Sequence, residues 1–366
     1  MADELRALTR LAFEELGHGT GGIGQIHRAI ADRAFIPGTP AKLLHDGISG
    51  AVYAGIAGAA SLAGRAAALA VEDRPVSDTP RGAFVLAVLN GLRGDVLERE
   101  ESPLAIPMTV RASGASPRLA VFVHGLFGSE LAWGYGGGPT YGERLARDHG
   151  FTPVMVRFNS GRHISENGRE LAGQLESLVA DWPVPVEQIV LVGHSMGGLV
   201  ARSAAHHGGD WARHVTHVVS LGSPHTGAPL ESAVHYAAAG LGALPETRPF
   251  AGFLRRRSAG IRDLRRGSLV DEDWRDCDPE ALRVAACKEV PFLDGVTHCF
   301  VAATVTTSKD HPVARLIGDW LVLERSAGHR AQETLHVGGA HHLALLNHPV
   351  VYERLSGWLA TAPRPA

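Results

Sequence analysis

The chain has 366 residues, 45% hydrophobic and 20% charged, with a formal net charge of -3. That length buries one large α/β domain with additions, or two domains, and the composition is globular rather than disordered. The charge gives no reason to expect a nucleic-acid partner, and the odd set Cys277, Cys287 and Cys299 argues against a disulfide framework.

The first 105 residues read as a helical region of unassigned role. Leu5, Leu8, Leu11, Ala12 and Leu16 recur at helical spacing, as do Phe84, Leu86, Leu89 and Leu92. The start lacks a secretory apolar core, so the chain is read as intracellular. The glycine-rich stretch from Gly17 to Gly24 matches GxGxxG but follows a helical pattern, not a strand. A helix stop and restart is therefore expected there, not a dinucleotide site. Residues 48–71 carry Arg65 as their only charge and approach the length of a membrane span. Alanine and glycine contribute little transfer energy, which favours a packed helix or helix pair; peripheral membrane contact is the other reading of this segment.

After residue 105, short apolar strands alternate with helices. Strands are expected at 118–124, 153–158, 188–194, 215–221, 298–306 and 334–337, and helices at 141–149, 165–181, 196–207 and 348–360. Such alternation predicts a mostly parallel sheet flanked by helices on both faces, within a domain spanning 106–366. Residues 226–295 are too long for a loop and carry helical patterns, so they read as a helical lid insertion. Its arginines, Arg255, Arg256, Arg257, Arg262, Arg265 and Arg266, read as a solvated face with Asp263 and Asp271 nearby.

The chemistry concentrates at Gly193-His194-Ser195-Met196-Gly197-Gly198, between an apolar strand and a helical pattern. A serine hydroxyl becomes a useful nucleophile only when lifted from the backbone beside a base. A tight strand-to-helix turn lifts it, and small residues at Gly193 and Gly197 permit the close approach. The turn also aims free helix N–H groups at whatever the serine attacks.

With Leu119-Ala120-Val121-Phe122-Val123-His124-Gly125-Leu126-Phe127-Gly128, this segment resembles the α/β-hydrolase superfamily. It is most similar to bacterial lipases and PGAP1-like lipase/esterase members, which share a segment like Ser223-Pro224-His225-Thr226-Gly227. The resemblance covers roughly 105–360 and implies an α/β-hydrolase fold and an ester hydrolase. It implies Ser195 as nucleophile and the Leu126 and Met196 amides as oxyanion hole. His342 is implied as base, with His341 and His348 as rivals, and Asp319 as acid, with Asp310 as rival; Trp320 departs from the family's glycine after that acid. No metal or organic cofactor is expected, the histidine spacing being wrong for a zinc site. The lid's apolar positions, Leu241, Leu244, Phe250, Phe253 and Leu254, point to a hydrophobic or lipid-like ester substrate. Thioester or amide cleavage would use the same residues, and a non-catalytic interaction protein on this fold is the rival from another class. Substrate-contacting residues and oligomeric state are left open, with His163, Asn167 and His225 noted near the site and Ser165 read as a helix N-cap.

Overall fold

Residues 106–228 contain a strand that alternation alone did not reveal, because it is short and half exposed. In the computed structural model, β1 (Thr109–Ala112) pairs antiparallel with β3 (Thr152–Arg157) and forms one edge of the sheet. The structure describes residues 4–34, 39–70, 75–228, 256–279, 281, 286–307 and 332–360. The other strands are β2 (Arg118–Val123), β4 (Gln188–His194), β5 (Val215–Leu221), β6 (Thr297–Thr304) and β7 (Glu333–Gly338), all parallel, in the order β1-β3-β2-β4-β5-β6-β7. Each expected strand forms within one or two residues of its predicted bounds.

The order explains where chemistry can happen. From β2 the chain steps outward to β3, then returns to the other side of β2 as β4. The loops after β2 and β4 therefore diverge, leaving a crevice at the carboxyl ends of the strands. The helices are α4 (Tyr141–His149), α5 (Ile164–Ala180), α6 (Met196–His207), α7 (Ala259–Leu264) and α8 (Pro349–Ala360), following α1, α2 and α3 described below. Strand periodicity divides the core between them. Leu119, Val121, Val123, Leu191 and Val218 pack with Leu171 and Leu175 of α5 and Leu199 and Val200 of α6. The alternate positions Ala120, Phe122, Val192, Val219 and Val301 pack with Leu145 of α4 and Leu355 and Trp358 of α8.

The chain divides into two clustered units. Among the described residues the sheet unit holds 87–96, 106–228 and 258–360; the other holds 4–86, 97–105 and Arg256 and Arg257. In the second unit α1 (Glu4–Ala34) and α2 (Pro40–Ala70) form an antiparallel hairpin, with Asp32 on Lys42 at 2.6 Å and His27 edge-on to both His45 and Tyr53. The helix stop expected at Gly17–Gly24 is corrected: α1 runs through it unbroken. Packing outweighs the poor helix propensity of glycine, as Gly24 shows; a Cβ there would lie 2.9 Å from the Tyr53 ring. No described helix is long and apolar enough to cross a membrane. Helix α3 (Pro80–Arg99) is kinked at Arg93.

One side chain ties α4 to the C-terminal part of the sheet unit. The Tyr141 hydroxyl donates to Leu345 O at 2.9 Å and accepts from the His348 N–H at 2.7 Å. It thereby clamps the 3-10 turn His342–Leu346 to the start of α8. Tyr141→Phe leaves a buried carbonyl and amide without this partner and should cost about 1–3 kcal/mol, read from urea unfolding midpoints.

Candidate active site

Strand β4 ends at His194, and α6 begins at Met196. Ser195 between them takes φ 54 and ψ -124, a conformation that side chains rarely adopt. The turn is held from both sides: the Ser195 N–H donates to Leu221 O at 2.8 Å, and its carbonyl accepts from Gly198 N–H at 3.1 Å. Its glycines are sterically obligatory. A Cβ at Gly193 would lie 2.4 Å from Gly198 N, and one at Gly197 would lie 2.1 Å from Val123 O. The serine side chain is half exposed while nearly everything around it is buried.

The loop after β2 closes over the serine. A Cβ at Gly125 would sit 3.0 Å from Ser195 Cβ and 3.1 Å from His194 O, so a side chain there would press on the serine. His124 is fully buried and stacked on Phe158 at 4.2 Å. Its Nδ1–H donates to Gly125 O at 2.8 Å, and its Nε2 accepts the Phe158 N–H at 3.3 Å. Those bonds fix the Gly125–Leu126 peptide and with it the direction of the Leu126 N–H. Phe127, at φ 62, donates its N–H to Ser160 Oγ at 3.3 Å. Among the described residues neither the Leu126 nor the Met196 amide donates to an acceptor. Met196 also opens a helix, where partial positive charge collects.

The C-terminal histidines separate clearly. His341 is exposed, edge-on to Tyr135, whereas His342 is 4% exposed and faces inward. A Cβ at Gly222, itself at φ 62, would lie 3.2 Å from His342 Nδ1. His342 therefore stands against the same Leu221–Gly222 corner that accepts the Ser195 amide. His194 joins the two more directly: its Nε2–H donates to His342 O at 3.1 Å, with ring centroids 4.7 Å apart. In this structure the Ser195 hydroxyl makes no hydrogen bond among the described residues, so the serine and imidazole share a corner without being bonded. Asp319 and its rival Asp310 lie outside the described residues, as do the lid's apolar positions 241–254.

Burial sets the protonation of the supporting rings. Desolvation lowers the pKa of His124 to about 4 and that of His194 to about 3, so both are neutral at pH 7. In each, the nitrogen facing a carbonyl must carry the proton, which fixes the tautomer.

Other residues noted in the sequence serve structure. Asn167 is buried and donates to Asn159 O at 2.9 Å, while Asn159 donates to Gly94 O at 2.9 Å. Ser165 is not an N-cap: α5 begins one residue earlier, and the hydroxyl bonds Asp271 at 2.6 Å. The carboxylate meeting the α5 N-terminus is Asp263, which accepts from Ile164 N–H at 2.8 Å and faces His163 at 3.1 Å. The arginine cluster is a solvated face only in part: Arg256 is exposed, and Arg255 lies outside the described residues. Arg257 is buried, Asp263 is 3% exposed, and Arg265 and Arg266 turn back onto the carbonyls of Ala281 and Asp273. His225 stacks on Phe300 at 4.1 Å. The bracing by His124 and Ser160 was missed in the sequence; the His-Gly pair was its one visible sign.

A sequence model of the PGAP1-like alpha/beta domain matches residues 160–241, which include the serine turn. Similar solved structures include the mature Bacillus licheniformis lipase BlEst2, at 18% identity and a TM-score of 0.46, covering 70% of this chain and 100% of that one. A lipase-esterase related protein from Clostridium acetobutylicum is 14% identical with a TM-score of 0.39, covering 69% and 99%. The α/β hydrolase MGS-M2 from a deep-sea metagenome is 9% identical with a TM-score of 0.41, covering 71% and 96%. No curated protein sequence matches. The chain has a mixed α/β fold built on a seven-stranded, mostly parallel sheet, and its serine turn lies in the segment matching the PGAP1-like alpha/beta domain.

Two outcomes follow from this geometry. Ser195→Gly relieves an unfavourable φ and should raise stability by about 1 kcal/mol in urea unfolding, despite the greater entropy of an unfolded glycine. The buried rings also dictate an acid response. The unfolded chain protonates His124 and His194 near the ordinary 6.5, the folded chain only at about 4 and about 3. The unfolded state therefore binds more protons in that window. Stability should be full above pH 6.5 and fall as pH drops toward 4, at up to ~1.4 kcal/mol per pH unit per ring. Unfolding midpoints that stay flat from pH 7 to 5 would contradict this.

Proposed function

We propose that the protein is a serine hydrolase acting on carboxylic esters. The observation that carries this reading is the strained Ser195 at the end of β4, packed under Gly125 and sharing the Leu221–Gly222 corner with a buried His342. A protein with no use for that hydroxyl would not be expected to retain a backbone conformation costing about 1–3 kcal/mol.

In this mechanism Ser195 Oγ attacks the acyl carbon while His342 takes its proton. Asp319 orients the imidazole and stabilises its charged form. The tetrahedral oxyanion accepts from the Leu126 and Met196 amides, each donor of this kind contributing about 3 kcal/mol to the transition state. Collapse expels the alcohol, protonated by His342, and leaves an acyl-enzyme. Water activated by the same imidazole then releases the acid. The Ser195–His342 bond forms when substrate is bound, a tightening common in such sites. The substrate is a hydrophobic or lipid-like ester, on the strength of the apolar residues in the lid segment, and residues 48–71 are the candidate for peripheral membrane contact.

Steady-state hydrolysis of p-nitrophenyl esters tests the assignments. Ser195→Ala and His342→Ala should each lower kcat/KM by about 10³-fold or more with the fold intact. Asp319→Asn should lower kcat substantially, while Asp310→Asn should have little effect; the opposite pattern would transfer the acid role to Asp310. Unchanged turnover in Ser195→Ala would remove the nucleophile assignment. A rise in kcat/KM from acetate to octanoate esters is expected for a lipid-like substrate, and a fall would contradict it.

A further inference from the structure

A cavity of about 650 Å³ lies in the sheet unit between α6, the segment 265–269 and the segment 286–292. Arg202, on α6, reaches it seven residues beyond Ser195, about 10 Å along the helix axis. Three guanidinium groups line it: Arg265 donates to Ala281 O at 3.2 Å, and the other two, both half-buried, are Arg202 and Arg266. Arg202 donates to His225 Nδ1 at 3.2 Å and to Val290 O at 3.1 Å, and lies over the Phe292 ring at 4.9 Å. Arg266 donates to Asp273 O at 3.0 Å and to Cys287 Sγ at 3.4 Å, and its Nε is buried with no partner. Among the described residues neither cation meets a carboxylate. Glu289 reaches the lining but pairs with neither, and Lys288 is engaged with Glu272 at 2.7 Å.

Against burial, Cys287 and Cys277 favour the charged form of Arg266, whereas on Arg202 burial acts alone. His298, 1% exposed and stacked on Phe292 at 4.1 Å, has both ring nitrogens without a partner. Burial lowers its pKa to about 3, so it stays neutral, and burial alone lowers that of Arg202 to about 10. A buried cation without an anion is costly, and an apolar residue of similar volume would usually be no worse. Desolvation of its guanidinium makes Arg202 such a cation, and the half-buried Arg266 lines the same cavity with a second guanidinium; together they indicate an anion that binds there.

We propose that this cavity is a binding site for a small organic anion, its carboxylate or phosphate held by Arg202 and Arg266 and its apolar part resting against Phe292, Leu269 and Val290. Guanidinium forks match both oxyanions in geometry, and the volume lies within the range of small-molecule sites. The site is separate from Ser195 and does not depend on the serine being a nucleophile.

Isothermal titration with octanoate and with inorganic phosphate, at constant ionic strength, tests the proposal on the full-length protein. Wild type and Ser195→Ala should bind at least one of these anions saturably and with equal affinity. Octanoate alone would assign the site to carboxylates, phosphate alone to phosphate-bearing ligands. Arg202→Met and Arg266→Met should each weaken binding at least tenfold, with circular dichroism melts confirming folding. If either methionine variant fails to fold, the corresponding glutamine variant replaces it under the same criterion. No saturable binding of either anion to wild type would overturn the proposal. So would affinities in the arginine variants within twofold of wild type. Ester hydrolysis, measured in parallel, reports on the serine independently.

Discussion

The architecture around the candidate site depends on one backbone constraint, the left-handed turn at Ser195. That conformation persists because the surroundings leave no alternative. Leu221 O takes the serine amide, Gly193 and Gly197 bring helix α6 within contact of β2 and β4, and Gly125 closes over the side chain. Each contact is made by backbone or by glycine, so the turn has little freedom to relax. Strain of this kind is maintained where the rest of the fold over-determines it, and here the central strands of a seven-stranded sheet do so.

Around that turn the protein builds a polar scaffold from neutral histidines. His124 directs the peptide whose amide is Leu126, and His194 takes hold of the His342 carbonyl. Both rings act as fixed hydrogen-bond geometry rather than as charges, since burial keeps them unprotonated at neutral pH. A neutral ring with a defined tautomer offers one donor and one acceptor in a rigid plane, which suits bracing a loop. Behind them, Tyr141 fixes the turn carrying His342 from the opposite face of the sheet. The proposed serine chemistry thus draws on both helical layers, with α6 supplying the Met196 amide and α4 the anchor for the imidazole.

Much of this was legible in the sequence because it is local. The strands after residue 105 are marked by short apolar runs, and Gly193-His194-Ser195-Met196-Gly197 encodes its own turn. What escaped is what depends on distant partners. Edge strand β1 is short and only half buried, so it carries no clear alternation. Glycines at 17–24 suggested a break that α1 does not have, because packing against α2 overrides propensity. Ser165 resembled a cap, yet the carboxylate at that helix terminus comes from Asp263, 99 residues away. Arg265 and Arg266 looked like solvated charges, although the chain folds them back onto carbonyls. Nothing in local spacing announces such pairings.

The central claim is that Ser195 is a nucleophile poised by its backbone, and covalent trapping tests it most directly. The protein would be incubated with a fluorophosphonate, and the adduct measured by intact mass and then located by tandem mass spectrometry of its peptides. The account predicts one phosphonyl group per chain, on Ser195. An unmodified protein, or a label on any other residue, would contradict it.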